Sequence, residues 1–405
     1  MKIIKFLTAG NVDDGKSTLI GRLLHDTGSL KRDQIEFVRN LSKNNGELNY
    51  ALFTDGLSSE REQGITIDVS YQYFSYGKSR FIIADCPGHV QYTRNMITGA
   101  SQSDVFVLLV NANKSIQHQT IQHFRIAELL RMSKVIVCVN KMDLVDYSEE
   151  IFNQIKSEIN KLNQEDLLNI EFIPICATNG DNITSNSNNM TWYKGNSLIN
   201  ALELVSINNE SASSFRFPIQ LVEAVNSRLS VDRFVYGSVA GGSLEVGERV
   251  SVMPSGLETR VKAIFKYDKH ESIVLNKDYC TLLLEDNVDV SRGNVLVKTA
   301  ESKVPQLEFL AKLCWLDSKP LNINSKYLVK VATAEVTCQF FESEHSDKNR
   351  MNQNGVKMND LFTSKIVLAN SVLVDTYAQN KALGSFIVID SVTNNTVAAG
   401  IITKD

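Results

Sequence analysis

Six cysteines are spread through 405 residues, and no two of them form a CxxC pair. Of Cys86, Cys138, Cys176, Cys280, Cys314 and Cys338, only Cys86 has a histidine close by, His89, and one such pair makes neither a zinc site nor a disulfide framework. They read as reduced thiols that fill cores. No apolar run reaches the roughly 18 residues that a membrane-spanning helix needs. No leader-like segment is patterned ahead of the first strand, and a cytoplasmic location is expected. Charge of one sign is not in surplus either. A net charge of -4 gives no bulk attraction to phosphate backbones, although a local basic patch needs no net charge. What remains, 43% hydrophobic and 22% charged residues, is ordinary for globular domains, and the length suits two or three of them.

Against this plain background one stretch stands out, Gly10-Asn11-Val12-Asp13-Asp14-Gly15-Lys16-Ser17. Two glycines flank four residues and are followed by Lys and Ser, the phosphate-loop pattern. In such a loop, backbone N–H groups point inward at the α- and β-phosphates. Lys16 would reach the β- and γ-oxygens, and the Ser17 hydroxyl would ligate Mg²⁺. Ile3–Leu7 before the loop reads as a strand. Thr18–Leu24 after it reads as a helix whose N-terminal dipole faces the phosphates.

A polar stretch from Asp26 to Ser59 follows, expected as a mobile loop with short helices. From Ile65 the sequence alternates: Ile65, Ile67, Val69, Tyr71 and Tyr73 share one face of a half-buried strand. Phe81–Ala84 is the next strand, ending in Asp85-Cys86-Pro87-Gly88-His89. A carboxylate at the end of a hydrophobic strand, downstream of a phosphate loop, suits an outer Mg²⁺ ligand, and Gly88 could offer its N–H to the γ-phosphate. Further strands are expected at Val105–Val110, Val135–Val139 and Phe172–Ile175, with helices at Ile121–Leu130 and along the stripe Ile151, Ile155, Ile159 and Leu162. This alternation predicts a mostly parallel sheet with helices on both faces, its ligand site at the carboxyl ends of the strands.

The fifth of these strands delivers Asn140-Lys141-Met142-Asp143, which specifies the base. A carboxylate accepts both N1–H and the exocyclic amino group of guanine, and adenine offers no such pair. Asn140 would brace the loop, and the Lys141 stem would lie across the ring. Cys176-Ala177-Thr178 ends the sixth strand, placing the Ala177 N–H for the guanine O6. Four motifs in this order make a GTPase.

With these residues in view, the chain resembles the translation-factor class of GTPases. Within it, the chain looks most like the large, GTP-binding subunit of bacterial heterodimeric sulfate adenylyltransferase. The runs that carry the likeness are Val12–Leu24, Glu60–Val69, Gln91–Met96 and Gly180-Asp181-Asn182; Asp14 and the Gln-Tyr-Thr-Arg run tip it toward the sulfate enzyme. The resemblance implies that Thr66 is the switch threonine on Mg²⁺, that Asp85 binds Mg²⁺ through water, and that His89 orients the attacking water. Catalysis would then rest on His89, Lys16 and Thr66, and the metal on Ser17, Thr66 and Asp85. The implied GTP site comprises Gly10, Asn11, Val12, Asp13, Asp14, Gly15, Lys16, Ser17, Thr18, Asp85, Cys86, Pro87, Gly88, His89, Asn140, Lys141, Met142, Asp143, Cys176, Ala177 and Thr178. Four departures from the family pattern stand out: Cys176 for Ser, Cys86 for Thr, Val90 for Glu, and no proline ahead of Trp192. The Asn/Ser-rich middle of the 179–195 segment, Thr184 to Asn189, is expected to be loose.

A breaker-rich linker at 206–214 leads into short strands separated by turns: Phe217–Val222, Arg233–Val239, Arg249–Met253, Arg260–Phe265 and Cys280–Leu284. This spacing predicts a β-barrel, closed by Val288–Gly293. A second run of strands begins at Pro305. The expected architecture is thus an α/β P-loop GTPase domain at 1–205, followed by β-barrel domains at 215–303 and 305–405. The span Glu342–Asn354 is expected as an exposed loop. The chain carries no Ser-Gly-Gly-x-Asp-Ser pyrophosphate loop and no second phosphate loop, so it should not adenylylate sulfate by itself. The resemblance implies a small catalytic, ATP-pyrophosphatase-type partner subunit, with GTP and Mg²⁺ as ligands and no membrane or nucleic acid. An elongation-factor-like carrier of aminoacyl-tRNA would share the same fold and GTP site and is the alternative. A third reading, a degenerate scaffold, is at odds with intact Lys16, Thr66, Asp85 and His89.

Overall fold

The structure is a computed structural model that describes residues 2–41, 48–54, 68–163, 167–206, 214–226, 231–267, 269–342 and 355–404. The chain divides into two compact units, Met1–Ile207 and Asn208–Asp405.

The first unit is built on a sheet of strands β1 (Lys2–Ala9), β2 (Ser70–Tyr76), β3 (Ser79–Asp85), β4 (Val105–Asn111), β5 (Val135–Asn140) and β6 (Ile170–Pro174), in the order β2-β3-β1-β4-β5-β6. All pairings are parallel except β2 on β3. Every residue of β4 and β5 is buried, the pattern of central parallel strands covered on both faces. Helix α1 (Lys16–Asp26) packs Leu19 and Leu23 against Ile4 and Phe6 on one face. Helix α2 (Arg32–Leu41) lies against the Tyr50–Phe53 turn that packs on α1, and α3 (Thr93–Ser101) covers the other face of the sheet. Gly99 of α3 sits so close to Leu7 that a Cβ there would stand 2.9 Å from the leucine. Helices α4 (His118–Leu129), α5 (Glu149–Leu162) and α6 (Leu198–Glu203) complete the unit. Helix α5 shows why it starts where it does: the Ser148 hydroxyl accepts from Ile151 N, and Glu149 and Glu150 occupy the first turn.

The alternating strand begins at Ser70 among the described residues, and its buried residue is Phe74, stacked on Phe81 at 4.7 Å. Tyr71 and Tyr73 point the other way and are 41% and 66% exposed. As an edge strand, β2 buries only the face that meets the core of β1 and β3, and aromatic alternation alone does not say which face that is. The Glu60–Thr66 run, the Ile65 and Ile67 positions, residues 207–213 of the linker and 343–354 of the second loop lie outside the described residues.

In the second unit, Arg249–Met253, Val295–Lys298, Phe217–Asn226, Val231–Ser238, Tyr279–Leu284 and Leu257–Lys266 pair in turn, and the last pairs back to the first. The strand that closes this ring is Val295–Lys298, paired with Arg249–Met253 and Phe217–Asn226. The expected closing segment, Val288–Gly293, is irregular instead, and Gly293 takes a φ of +98° that no strand uses. A second closed barrel runs Gln306–Trp315, Leu361–Val372, Ala334–Phe341, Tyr327–Val331, Ser385–Asp390 and Thr396–Thr403. Met253, Val295 and Val297 of the first barrel share a small core with Leu373 and Leu383 of the second. Beside it, Asp375 takes Arg216 Nε at 2.9 Å and Lys303 Nζ at 3.0 Å, and the Arg216 and Asp375 side chains are only 5% and 7% exposed.

Burial pushes the Asp375 carboxyl up, but Arg216 and Lys303 outweigh it and hold the group below 3.8. The folded state therefore gains stability from the ionised form, which is lost only as pH falls through that depressed value. Asp375→Asn should lower the melting temperature at neutral pH, and the gap to wild type should narrow below pH 3.8. A gap that stays constant across a pH series would show that the ionised carboxylate is not what matters.

Candidate functional site

The turn from β1 into α1 brings the phosphate-loop residues together. Gly10, Asp13 and Gly15 adopt φ of +155°, +68° and +93°. Gly15 also has no room for a side chain, since a Cβ would collide with Asn140 Nδ2. It caps α1 without any side-chain acceptor, leaving the first-turn N–H groups, with Ser17 and Thr18 among them, open to a ligand. Lys16 is 8% exposed, and its Nζ donates to Gly10 O and Asn11 O at 2.9 Å each. Burial pushes its ammonium below the ordinary lysine value, opposed by Asp85 and Asp14. Asp14 ties the loop from inside: its Oδ2 accepts from Asn11 N at 2.8 Å, and burial raises its carboxyl. Val12 is half-buried and Asp13 exposed.

Asp85, at the end of β3, is 2% exposed and accepts from the Thr8 hydroxyl at 3.1 Å. Thr8 and Asp85 are register partners across β1 and β3. Thr8 was not singled out in the sequence, although a polar residue in an otherwise buried strand was the available signal. Cys86, Pro87 and Gly88 are buried beneath the loop. A Cβ on Gly88 would strike Lys16 Nζ and stand 2.9 Å from Gly10 O, so its backbone lies against the phosphate loop. His89 is exposed and caps a short turn, its Nδ1 accepting from Gln91 N at 3.3 Å. The structure places Asp85 to His89 around the same end of the sheet as Lys16. Thr66 lies outside the described residues.

Two further loops meet this end through Asn140. Its Nδ2 donates to Asp14 O at 2.8 Å, and its Oδ1 accepts from Ala177 N at 3.0 Å. One buried amide thus fastens the β5 and β6 loops to the phosphate loop. Lys141 takes φ of +64° as the chain turns, Met142 is fully buried, and Asp143 is half-buried. The Cys176 thiol lies 3.1 Å from Asp143 Oδ1, where it donates as a serine hydroxyl would. Burial comes first in pushing that thiol up to about 12, so it is protonated at neutral pH. Thr178 is exposed, and its carbonyl accepts from Arg22 Nη1 at 2.8 Å. The 179–195 segment is not loose. Asn182 donates to Pro174 O at 2.8 Å and accepts from Ser187 N at 2.7 Å, while Trp192 Nε1 donates to Tyr147 O at 3.0 Å. Polar composition suggested slack, but these side chains satisfy the backbone locally.

The Elongation factor Tu GTP binding domain model matches residues 1–230, and the GTP-eEF1A C-terminal domain-like model matches 308–403. Sulfate adenylyltransferase subunit 1 of Aliarcobacter butzleri is 42% identical over 412 residues, covering 99% of this chain and 87% of its own. The chain belongs to that family. Other sulfate adenylyltransferase subunit 1 relatives are equally near: the Bacteroides fragilis protein is 42% identical over 410 residues, covering 99% of this chain and 86% of its own. The Cellvibrio japonicus protein is 42% identical over 417 residues, covering 100% and 87%. Among solved structures, the Saccharomyces cerevisiae Ski7 GTPase-like domain bound to GDP and inorganic phosphate aligns with a TM-score of 0.55 at 16% identity, covering 100% of this chain and 98% of that one. At that identity the likeness supports the fold only. No helix among the described residues is long and apolar enough to cross a membrane.

Proposed function

We propose that this subunit-1 family member is the GTP-hydrolysing subunit of sulfate adenylyltransferase. It couples GTP hydrolysis to formation of adenosine 5′-phosphosulfate and pyrophosphate from ATP and sulfate, with adenylyl transfer carried out by a small catalytic subunit. Residues 1–205 form the GTP-binding domain, and 215–303 and 305–405 form the barrel domains. The observation that carries the GTPase reading is the pair of hydrogen bonds made by the Asn140 amide, which hold the phosphate loop and the Ala177 loop together.

The residues present fit GTP and Mg²⁺. Among the described residues the buried Lys16 ammonium donates to two carbonyls, and an ammonium has three protons to give; β- and γ-phosphate oxygens would take the donation further. Ser17, Asp85 and Thr66 are the residues that would hold Mg²⁺, Asp85 through water. When bound, the metal would supply positive charge against the phosphates. Asp143 accepts from the guanine N1–H and amino group, the Lys141 stem covers the ring, and the Ala177 N–H extends to O6 as a bond shared with Asn140 Oδ1. His89 orients water at the γ-phosphate. A phosphosulfate anhydride is strongly uphill from ATP, so GTP hydrolysis assists it only through a conformational link between the two sites. Delivery of aminoacyl-tRNA, the alternative, gains no observation in its favour.

The test is reconstitution with labelled sulfate. The chain alone should hydrolyse GTP slowly and make no phosphosulfate. With the catalytic subunit, ATP and sulfate, GTP turnover should rise and phosphosulfate should accumulate beyond the GTP-free yield. Phosphosulfate made by this chain alone, or a catalytic subunit indifferent to it, would overturn the assignment.

A further inference from the structure

Arg22, on the exposed side of α1, is used by none of the steps above, yet it touches three separate parts of the first unit. Its Nε donates to Asp26 Oδ2 at 2.8 Å, one turn further along the helix. Its Nη1 donates to Thr178 O at 2.8 Å and lies 3.3 Å from Tyr50 OH. The guanidinium carbon stands 5.0 Å above the Tyr50 ring. Tyr50 opens a 3-10 turn, Tyr50–Phe53, that is seated on α1: a Cβ on Gly21 would overlap the Tyr50 carbonyl. On the opposite side, Gly180 leaves space for the guanidinium, and a Cβ there would collide with it.

We propose that Arg22 is a positioning residue for recognition of the guanine O6, holding the Ala177–Gly180 loop in place while Tyr50 clamps its guanidinium. Thr178 directly follows Ala177, whose N–H is one edge of the pocket. A loop anchored at one end by Asn140 and at the other by Arg22 cannot drift away from the base. The planar fork makes this anchorage possible, since it can serve Asp26 and Thr178 at once while its face packs on an aromatic ring. The segment that carries Tyr50 therefore contributes to base recognition without touching the base.

The inference rests on Ala177 meeting O6, so the probe is an atom change at that position alone. 6-Thioguanosine diphosphate keeps both donors read by Asp143 and replaces only the oxygen; inosine diphosphate keeps the oxygen and drops the amino group. Affinities of GDP and both analogues are measured by competition on the full chain. Arg22→Ala should weaken GDP roughly tenfold, the cost of one charge-assisted hydrogen bond. It should also shrink the preference for GDP over the thio analogue while leaving the preference over inosine diphosphate unchanged. Arg22→Lys should restore part of the lost preference, and Tyr50→Phe, which keeps the ring, should show a small shift in the same direction. Equal losses for all three nucleotides, or an unchanged thio preference in both variants, would overturn the proposal. A wild-type protein that does not distinguish GDP from the thio analogue would remove the Ala177 reading and the proposal with it.

Discussion

Asp143→Asn should convert a guanine pocket into one that favours xanthine nucleotides. On the proposed reading, the wild-type carboxylate accepts two hydrogen bonds from the base edge, N1–H and the amino group. The amide that replaces it turns a donor toward the amino group, so two donors face each other in a half-buried site. Loss of such a pair costs about 1–3 kcal/mol, and more where a charge is involved, so GTP affinity should fall by roughly two orders of magnitude. Xanthine carries an oxygen where guanine carries its amino group, and the new donor matches it. The Cys176 thiol continues to donate to the remaining amide oxygen, which favours the orientation needed. Competition binding with GTP and xanthosine triphosphate measures both changes. Unchanged GTP affinity in the variant would mean that Asp143 does not read the base.

His89→Ala should leave GTP binding nearly intact and lower turnover by roughly 10²- to 10⁴-fold, the usual loss for a proton-handling or water-orienting group. Because Nδ1 accepts from the Gln91 N–H, the neutral ring carries its proton on Nε2. That nitrogen is a donor, fitted to hold a water molecule by its oxygen rather than to remove a proton from it. His89→Gln, which retains an N–H donor of similar reach, should therefore keep part of the activity lost in the alanine variant. Single-turnover hydrolysis, measured with the catalytic subunit present, separates the two effects. Wild-type turnover in His89→Ala would leave the residue as a turn cap and nothing more.

The site was legible in the sequence where its chemistry is local. Lys16, Ser17 and the glycines of the phosphate loop are adjacent in the chain, and the turn they require is set by their own backbone preferences. The bracing of that loop was not legible. Asn140 reaches Asp14 across 126 positions, and Thr8 reaches Asp85 across 77, distances bridged only by the parallel register of the sheet. Arg22 gave no signal either, since a charged residue on an amphipathic helix ordinarily faces solvent. In the barrels, the alternation located most strands but not the closure, because Val295–Lys298 is short and follows a turn glycine. The error over Tyr71 and Tyr73 has a simpler origin: alternation separates two faces, and only the neighbouring strands say which of them is inside.

The bond between the barrels has a mechanical meaning. Arg216, Lys303 and Asp375, together with the apolar contacts of Leu373 and Leu383, tie the two rings of strands to each other. Torque applied to the outer wall of one ring reaches the other through these contacts. A protein that grips either barrel therefore loads the other as well, through one buried ion-pair cluster and a few aliphatic side chains.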